Sequence, residues 1–477
     1  MKVVDHQNTK IVATVGPACS SYNQLLELVK TGVDVFRLNF SHGTHQDHQQ
    51  VIDHVTYINE KYNLHISILA DLQGPKLRVG KIKDNALELK EGDVITLVNE
   101  KCVGTMEKIY MSYESFARDV KVGERVLVDD GKLVFEVVET NKEDTVKLKT
   151  LFGGTLSSNK GVNLPNTKIS LPSLTEKDLV DLEFILTQPV NWIALSFVRH
   201  PKDLKDLRRR IEAKNHPAKI ISKIEKPEAV ERIDKIIKHS NAIMVARGDL
   251  GIEVAMERLP LIQKDIIAKC IQRARPVIVA TQMMDSMITN PSPTRAEITD
   301  VANAVYEGAD AVMLSAETAS GDYPIEAVNM MSKIIRNIEA DPGYHTQLDA
   351  SRPSPNSTVE DAISCATRRV TGILDVAVLI NFTNSGTTGL RAARERPKAP
   401  ILSLTPNLST ARKLTLAWGI YSVVRPEFAK PIEITPTALD EAKRLDMASS
   451  GDFVVITAGI PFDQPGTTNL LRIETVQ

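Results

Sequence analysis

Arg37, Asn39, Ser41 and His42 fall within six consecutive positions of RLNFSHG. Elsewhere, Lys223 and Glu225 lie two apart in SKIEKP, Asp249 follows Gly248 in ARGDLG, and Ser315 and Glu317 open SAETASGDYP. Thr281 ends the apolar run PVIVAT, and Asp71 is followed by Lys76 and Arg78 in DLQGPKLR. These residue types suit one chemistry. Glu225 and Asp249 offer hard oxygen ligands for Mg²⁺, with few sulfur or imidazole competitors. Arg37, Arg78 and Lys223 can neutralise a phosphoryl group in flight. Backbone N–H groups around Gly248 can hold an anionic oxygen or a carboxylate. Residues two apart in an extended segment share a side, so Lys223 and Glu225 point together. Taken singly, each has a plainer reading: a loop salt bridge, a helix cap at Ser41 or Thr281, turn-forming glycines. Six apolar runs that all end in such residues are harder to assign to unrelated loops.

The elements that carry them alternate. KIVATV, VDVFRL and HISILA read as strands, and SYNQLLELVKTG reads as a helix with Ser21 and Gln24 at capping-box spacing and Gly32 as its stop. Residues 76–167 break this rhythm with alternating strands joined by Gly, Asp and Asn turns, a small all-β insert. The rhythm then returns through WIALSF, KIISKI, AIMVAR, PVIVAT and DAVMLS. Three strands before the insert and five after it make eight, the count of an α/β (β/α)₈ TIM barrel. An open doubly wound sheet is the alternative, but no dinucleotide fingerprint accompanies the eight units. The expected division is a barrel over 1–75 and 168–350, a β-rich domain over 76–167, and an α/β domain over 351–477 that follows the linker-like SRPSPNST. In a barrel, the C-terminal strand ends carry the chemistry, and the residues above fall there.

The 477 residues carry a net charge of −2, which argues against a constitutive nucleic-acid binder. No run approaches the apolar length of a membrane helix, the start has no apolar signal core, and the four cysteines lack a CxxC spacing. A cytoplasmic protein with reduced thiols is expected. GxxxxGK[ST], the protein-kinase motifs and GxGxxG are all absent. Residue types and spacing therefore extend to a Mg²⁺-dependent barrel enzyme acting on a small phosphorylated anion.

KIVATVGPAC, FRLNFSHGTHQDH, KGVNLP, ISKIEKPEAV, IMVARGDLG, VIVATQMMDSM, PTRAEITDVANAV and VMLSAETASGDYP stand in the order and spacing of the pyruvate kinase family, and the likeness covers essentially the whole chain. The resemblance implies phosphoryl transfer from phosphoenolpyruvate to ADP, giving pyruvate and ATP, by a homotetramer with a β-rich lid and a C-terminal regulatory domain. It implies that Arg37 and Lys223 contact the transferring group, and that Glu225 and Asp249 hold Mg²⁺, with Mn²⁺ as the alternative ion. Gly248, Asp249 and Thr281 would bind the substrate's carboxylate side. Arg78, Lys160 and His42 would serve the nucleotide. Asn39, Ser41 and Asp71 match the family's K⁺ ligands, and Thr281 with Ser315 and Glu317 offers a proton route to the enolate. Other phosphoenolpyruvate or enolate barrel enzymes would share the metal and the arginine but not the insert or the C-terminal domain. A catalytically silent relative would be expected to lack Lys223, Glu225 or Asp249.

Two stretches depart from common family patterns. DLQGPK stands where K⁺-requiring members have DTKGPE, and so resembles the subgroup that works without K⁺; the Lys76 ammonium would then stand in for the cation and offset Asp71. TNSGTTG (383–389) and GTTN (466–469) resemble loops that hold a phosphorylated effector, although plain turns read equally well. The first loop lacks the basic residue of many fructose 1,6-bisphosphate-binding relatives, leaving AMP, ribose 5-phosphate or no effector open.

Overall fold

The computed structural model describes residues 7–350, 352, 354–426, 431–460 and 467–477. Eight parallel strands close into a barrel: β1 (Lys10–Val15), β2 (Val35–Asn39), β3 (Ser67–Asp71), β4 (Trp192–Leu195), β5 (Lys219–Ile224), β6 (Ala242–Ala246), β7 (Val277–Ala280) and β8 (Ala311–Leu314). The open doubly wound sheet is thereby excluded. Outward residues such as Ile11, Phe36, Ile68 and Ile220 pack on the surrounding helices, while inward Val12, Val35, Leu69, Ile221 and Met244 form a second buried cluster.

Helix entry is specified locally. Thr44 with Asp47, Thr175 with Asp178, and Thr294 with Glu297 each form a reciprocal capping box; each Thr cap contributes about 1 kcal/mol. At the first helix (Tyr22–Thr31) the box is only half made. Ser21 accepts from the Gln24 N–H, but the Gln24 side chain takes the Ser21 hydroxyl and donates to Ala18 O instead of returning to the cap backbone. Gly32, at φ +126°, ends that helix in a conformation other residues avoid.

Between β3 and β4 the chain builds a six-stranded sheet and a two-stranded ribbon around their own core, in which Phe116, Phe135 and Leu148 are buried. Beyond the barrel, four parallel strands and one antiparallel strand make a sheet in the order Ile420–Val424, Ile401–Thr405, Val376–Phe382, Phe453–Ala458, Leu470–Thr475. The last strand was not anticipated from sequence: at the sheet edge it is largely exposed and carries no buried apolar run. Of the linker-like stretch, Ser351 and Pro353 lie outside the described residues, as does Gly466 of GTTN.

The C-terminal domain closes the N-terminal floor of the barrel. Leu416 joins the inward cluster, and Trp418, wholly buried, packs with the outer core. Asp310, just before β8, accepts from Trp418 N (3.0 Å), Val277 N (3.1 Å) and the Arg396 guanidinium (3.2 Å), and Arg396 lies 5.0 Å from the Trp418 ring. No helix among the described residues is long and apolar enough to cross a membrane.

Candidate active site

Inward rows change character along the barrel axis. With a period of two, Val12 leads to Thr14, Val35 to Arg37, Leu69 to Asp71, Ala194 to Ser196, and Ile221 to Lys223. The apolar members fill the middle of the barrel, and the polar ones meet at its C-terminal mouth. Arg37 Nε donates to Asp71 Oδ2 at 2.7 Å, and its Nη1 donates to Thr14 Oγ1 at 3.0 Å. Lys223 Nζ donates to Ser196 Oγ at 2.7 Å and lies 3.3 Å from Asp71 Oδ1 and 3.0 Å from Glu225 Oε1. Ser196 in turn donates to Leu72 O at 2.7 Å. Two carboxylates and two cations thus share one site, with Asp71 and Glu225 each only 1% exposed.

The electrostatics follow from that crowding. Burial works against the Asp71 carboxylate, but Lys223 and Arg37 outweigh it and hold its pKa below the ordinary value. Burial likewise opposes the Lys223 charge, yet Asp71 and Glu225 keep its pKa raised. Glu225 goes the other way: burial, helped by the nearby Asp249 charge, pushes its pKa up against Lys223. Its Oε2 accepts the Phe197 N–H at 2.6 Å, while Oε1 has no hydrogen bond, only the Lys223 ion contact.

After β6 the chain turns at once into a short helix (Arg247–Glu253) whose first turn holds Gly248 and Asp249. Gly248 N donates to Thr281 Oγ1 at 2.7 Å, and Thr281 Oγ1 donates to Ala280 O at 2.6 Å. A Cβ on Gly248 would stand 3.3 Å from Thr281 Oγ1, so this approach favours glycine. Thr281 (φ +67°) and Gln282 (φ +54°) are both left-handed, which costs about 1–3 kcal/mol each. Toward the insert, Lys226 Nζ meets Glu253 Oε1 at 2.5 Å, and Asn163 Nδ2 donates to the same oxygen at 2.9 Å. A cleft of about 490 Å³, open to solvent, runs between barrel and insert past Lys76, Asp130, Asn163, Phe197, Arg199 and Asp249.

Residues 6–328 match the family model described as the pyruvate kinase barrel domain, and residues 361–474 match the pyruvate kinase alpha/beta domain. The chain belongs to the pyruvate kinase family. It is 42% identical over 474 residues to a pyruvate kinase of Geobacillus stearothermophilus, covering 98% of this chain and 80% of that one. A Methylorubrum extorquens pyruvate kinase is 42% identical over 470 residues, 98% of both chains. The crystal structure of a pyruvate kinase from Cryptosporidium parvum superposes with a TM-score of 0.91 at 35% identity, covering 99% of this chain and 96% of that one. The ATP-generating conversion of phosphoenolpyruvate to pyruvate is therefore this chain's reaction at the level of the family.

Within this pyruvate kinase fold, Arg37, Asp71, Lys223 and Glu225 come together in direct contact, and Gly248 and Thr281 meet beside them. Asn39 lies opposite Asp71 in the strand register, and its Oδ1 accepts the Ser41 N–H at 3.1 Å. Glu317, wholly buried, accepts from Ser315 N and Met284 N, and burial raises its pKa. Ser315 Oγ is buried without a hydrogen-bond partner among the described residues. Arg78 donates to Asn159 O at 2.8 Å and Lys160 pairs with Asp129 at 2.8 Å, so both are engaged within the insert. In the C-terminal domain the two effector-like loops meet, with Thr388 and Thr468 hydroxyls 3.1 Å apart.

One expectation is corrected: the charge partners of Asp71 are Arg37 and Lys223, not Lys76. Gly74, at φ +68° and packed against Ser196, turns the chain out of the barrel, so Lys76 emerges exposed on the cleft wall. Its charge is felt instead at His42, whose pKa is lowered by burial first and then by Lys76 and Arg78. Sequence reading also passed over Thr14, Ser196, Arg247, Lys226, Glu253 and Asn163. The first two shared the inward parity of Arg37 and Lys223 and were open to recognition on that ground. The others required knowledge of which loops face each other.

Proposed function

We propose that this chain transfers the phosphoryl group of phosphoenolpyruvate to ADP in the presence of Mg²⁺, and that the mouth of the barrel is where it does so. The observation that carries this reading is Lys223 and Arg37 held side by side by Asp71 at the mouth of the barrel. Such paired cations disperse charge that develops on a phosphoryl group between donor and acceptor oxygens. Positioning and neutralisation carry the step, with no covalent side-chain intermediate.

Glu225 and Asp249 would hold the divalent ion, Mg²⁺ or alternatively Mn²⁺. The unbonded Glu225 Oε1 and the mutual repulsion of the two carboxylates fit such a role. When bound, the ion would supply Lewis-acid polarisation and neutralise negative charge on the substrate. Gly248, Asp249 and Thr281 would receive that carboxylate. Thr281, together with Ser315 and Glu317, would deliver the proton that turns the enolate into pyruvate.

Arg78 and Lys160 would exchange their present partners for nucleotide phosphates as the insert closes as a lid, with His42 nearby. Closure would exclude water that otherwise accepts the phosphoryl group. Asn39, Ser41 and Asp71 mark the family's K⁺ position. The DLQGPK stretch supports a chain for which K⁺ is dispensable, with Lys76 on the cleft wall and not paired with Asp71. The paired loops at Thr388 and Thr468 would take a phosphorylated effector in a homotetramer. The test of the main reading is a coupled assay for pyruvate formed from phosphoenolpyruvate and ADP with Mg²⁺. No pyruvate, with or without K⁺, sinks it.

A further inference from the structure

The turn after β7 holds two successive non-glycine residues in the left-handed region, Thr281 and Gln282, and unlike the Asp84–Asn85 and Asp129–Asp130 pairs it includes a β-branched residue. A single side chain braces both. Arg247 is 7% exposed, and its Nη2 donates to Thr281 O at 2.8 Å and to Gln282 O at 3.2 Å, while Nε donates to Thr281 O at 3.3 Å. The far side of the fork is fixed by Nη1 donating to Asp300 Oδ1 at 2.7 Å, on the helix Arg295–Tyr306. Arg247 also opens the helix that carries Gly248 and Asp249. The backbone on one side of the Gly248–Thr281 hydrogen bond is therefore continuous with Arg247, and the backbone on the other side is gripped by its side chain.

We infer that Arg247 is a positioning residue for this site: by clamping the Thr281 and Gln282 carbonyls, it sets the Thr281 hydroxyl against the Gly248 N–H, and Asp300 holds the clamp in place. A planar fork can reach two carbonyls and a carboxylate together, whereas an ammonium is a point charge without that geometry. Lysine at this position preserves the charge and loses the clamp. The inference rests on the proposed role of Thr281 but concerns how that residue is held.

The test compares Arg247→Lys, Arg247→Ala and Asp300→Asn with the wild type, with folding checked by circular dichroism. Arg247→Lys is expected to lower kcat by about 30-fold with KM for phosphoenolpyruvate within about threefold, the pattern of a lost transition-state contribution. Arg247→Ala is expected to regain at least about fivefold in kcat with added guanidinium and not with urea, since the small cation restores the missing donors. Asp300→Asn, which leaves the clamp in place but loosens it, is expected to lose about three- to tenfold in kcat. A folded Arg247→Lys with near-normal kcat, or no guanidinium rescue of Arg247→Ala, overturns the inference. If the Arg247 variants do not fold, an unchanged kcat in Asp300→Asn overturns it. Amide hydrogen exchange over 248–250 and 281–284 separates this inference from the reaction itself. If the wild type makes no pyruvate, faster exchange in Arg247→Lys still supports the clamp, and unchanged exchange rejects it.

Discussion

The two ends of the barrel bury charge in opposite ways. At the floor, both Asp310 oxygens are used, by two backbone N–H groups and the Arg396 guanidinium, and the C-terminal domain seals the site with Trp418 and Leu416. At the mouth, Asp71 and Glu225 are at least as deeply buried, yet each keeps one oxygen with no hydrogen bond and only a shared lysine nearby. Phe197, Thr281 and Gln282 around it all hold positive φ. A buried carboxylate without a full set of donors costs stability. The floor uses its polar groups to join two domains, and the mouth leaves one oxygen of each carboxylate without a hydrogen bond.

The largest separation is expected from Lys223→Met. Turnover should fall by about 10³-fold or more, since a charge facing the transferring group is lost. The fold should stay intact but lose about 3 kcal/mol of stability, because the buried Asp71 and Glu225 carboxylates both lose Lys223 as a partner. Near-normal turnover in the folded variant would take Lys223 out of the chemistry.

Asp310→Asn should cost stability without costing turnover. It strands the buried Arg396 charge and should cost about 3 kcal/mol in denaturant unfolding, while kcat of the folded protein stays within about threefold of wild type. If kcat fell by orders of magnitude, the division between floor and mouth would fail.

On the floor side, acid should act through His65. Burial, and then the Arg412 charge, push the His65 pKa down to about 4 from 6.5. Between those values the unfolded chain binds the proton and the folded one does not, so stability falls as pH drops from about 6.5 to 4, by at most about 3 kcal/mol. Asp71, whose folded pKa is lowered, keeps its contribution through this window and loses it only at lower pH. His65→Gln should flatten the pH dependence of the unfolding midpoint over that range. An unchanged slope would place the acid sensitivity elsewhere.

The smallest effect expected is that of K⁺. In tetramethylammonium buffer with saturating Mg²⁺, added KCl should change turnover by less than about tenfold, or 1.4 kcal/mol. Stronger activation would show that Lys76, exposed on the cleft wall, does not replace the cation.

Much of this was legible in the chain itself. Eight apolar runs and the polar residues that end six of them follow from local periodicity, and local physics enforces them: backbone hydrogen bonding and side-chain alternation act over a few residues. The neighbours of Asp71 were not legible in that way. Lys76 is five positions away in sequence, but a left-handed turn at Gly74 carries it out of the barrel, while Arg37 and Lys223 reach Asp71 from other strands.

The residue types, their places at strand ends, and the motif order on which the family resemblance rests were determined by the sequence alone. Which cation pairs with which carboxylate, which arginine braces the turn after β7, and which domain plugs the floor were decided only by closure of the barrel. Those contacts join residues tens to hundreds of positions apart, and their energies depend on burial and register that no local pattern encodes.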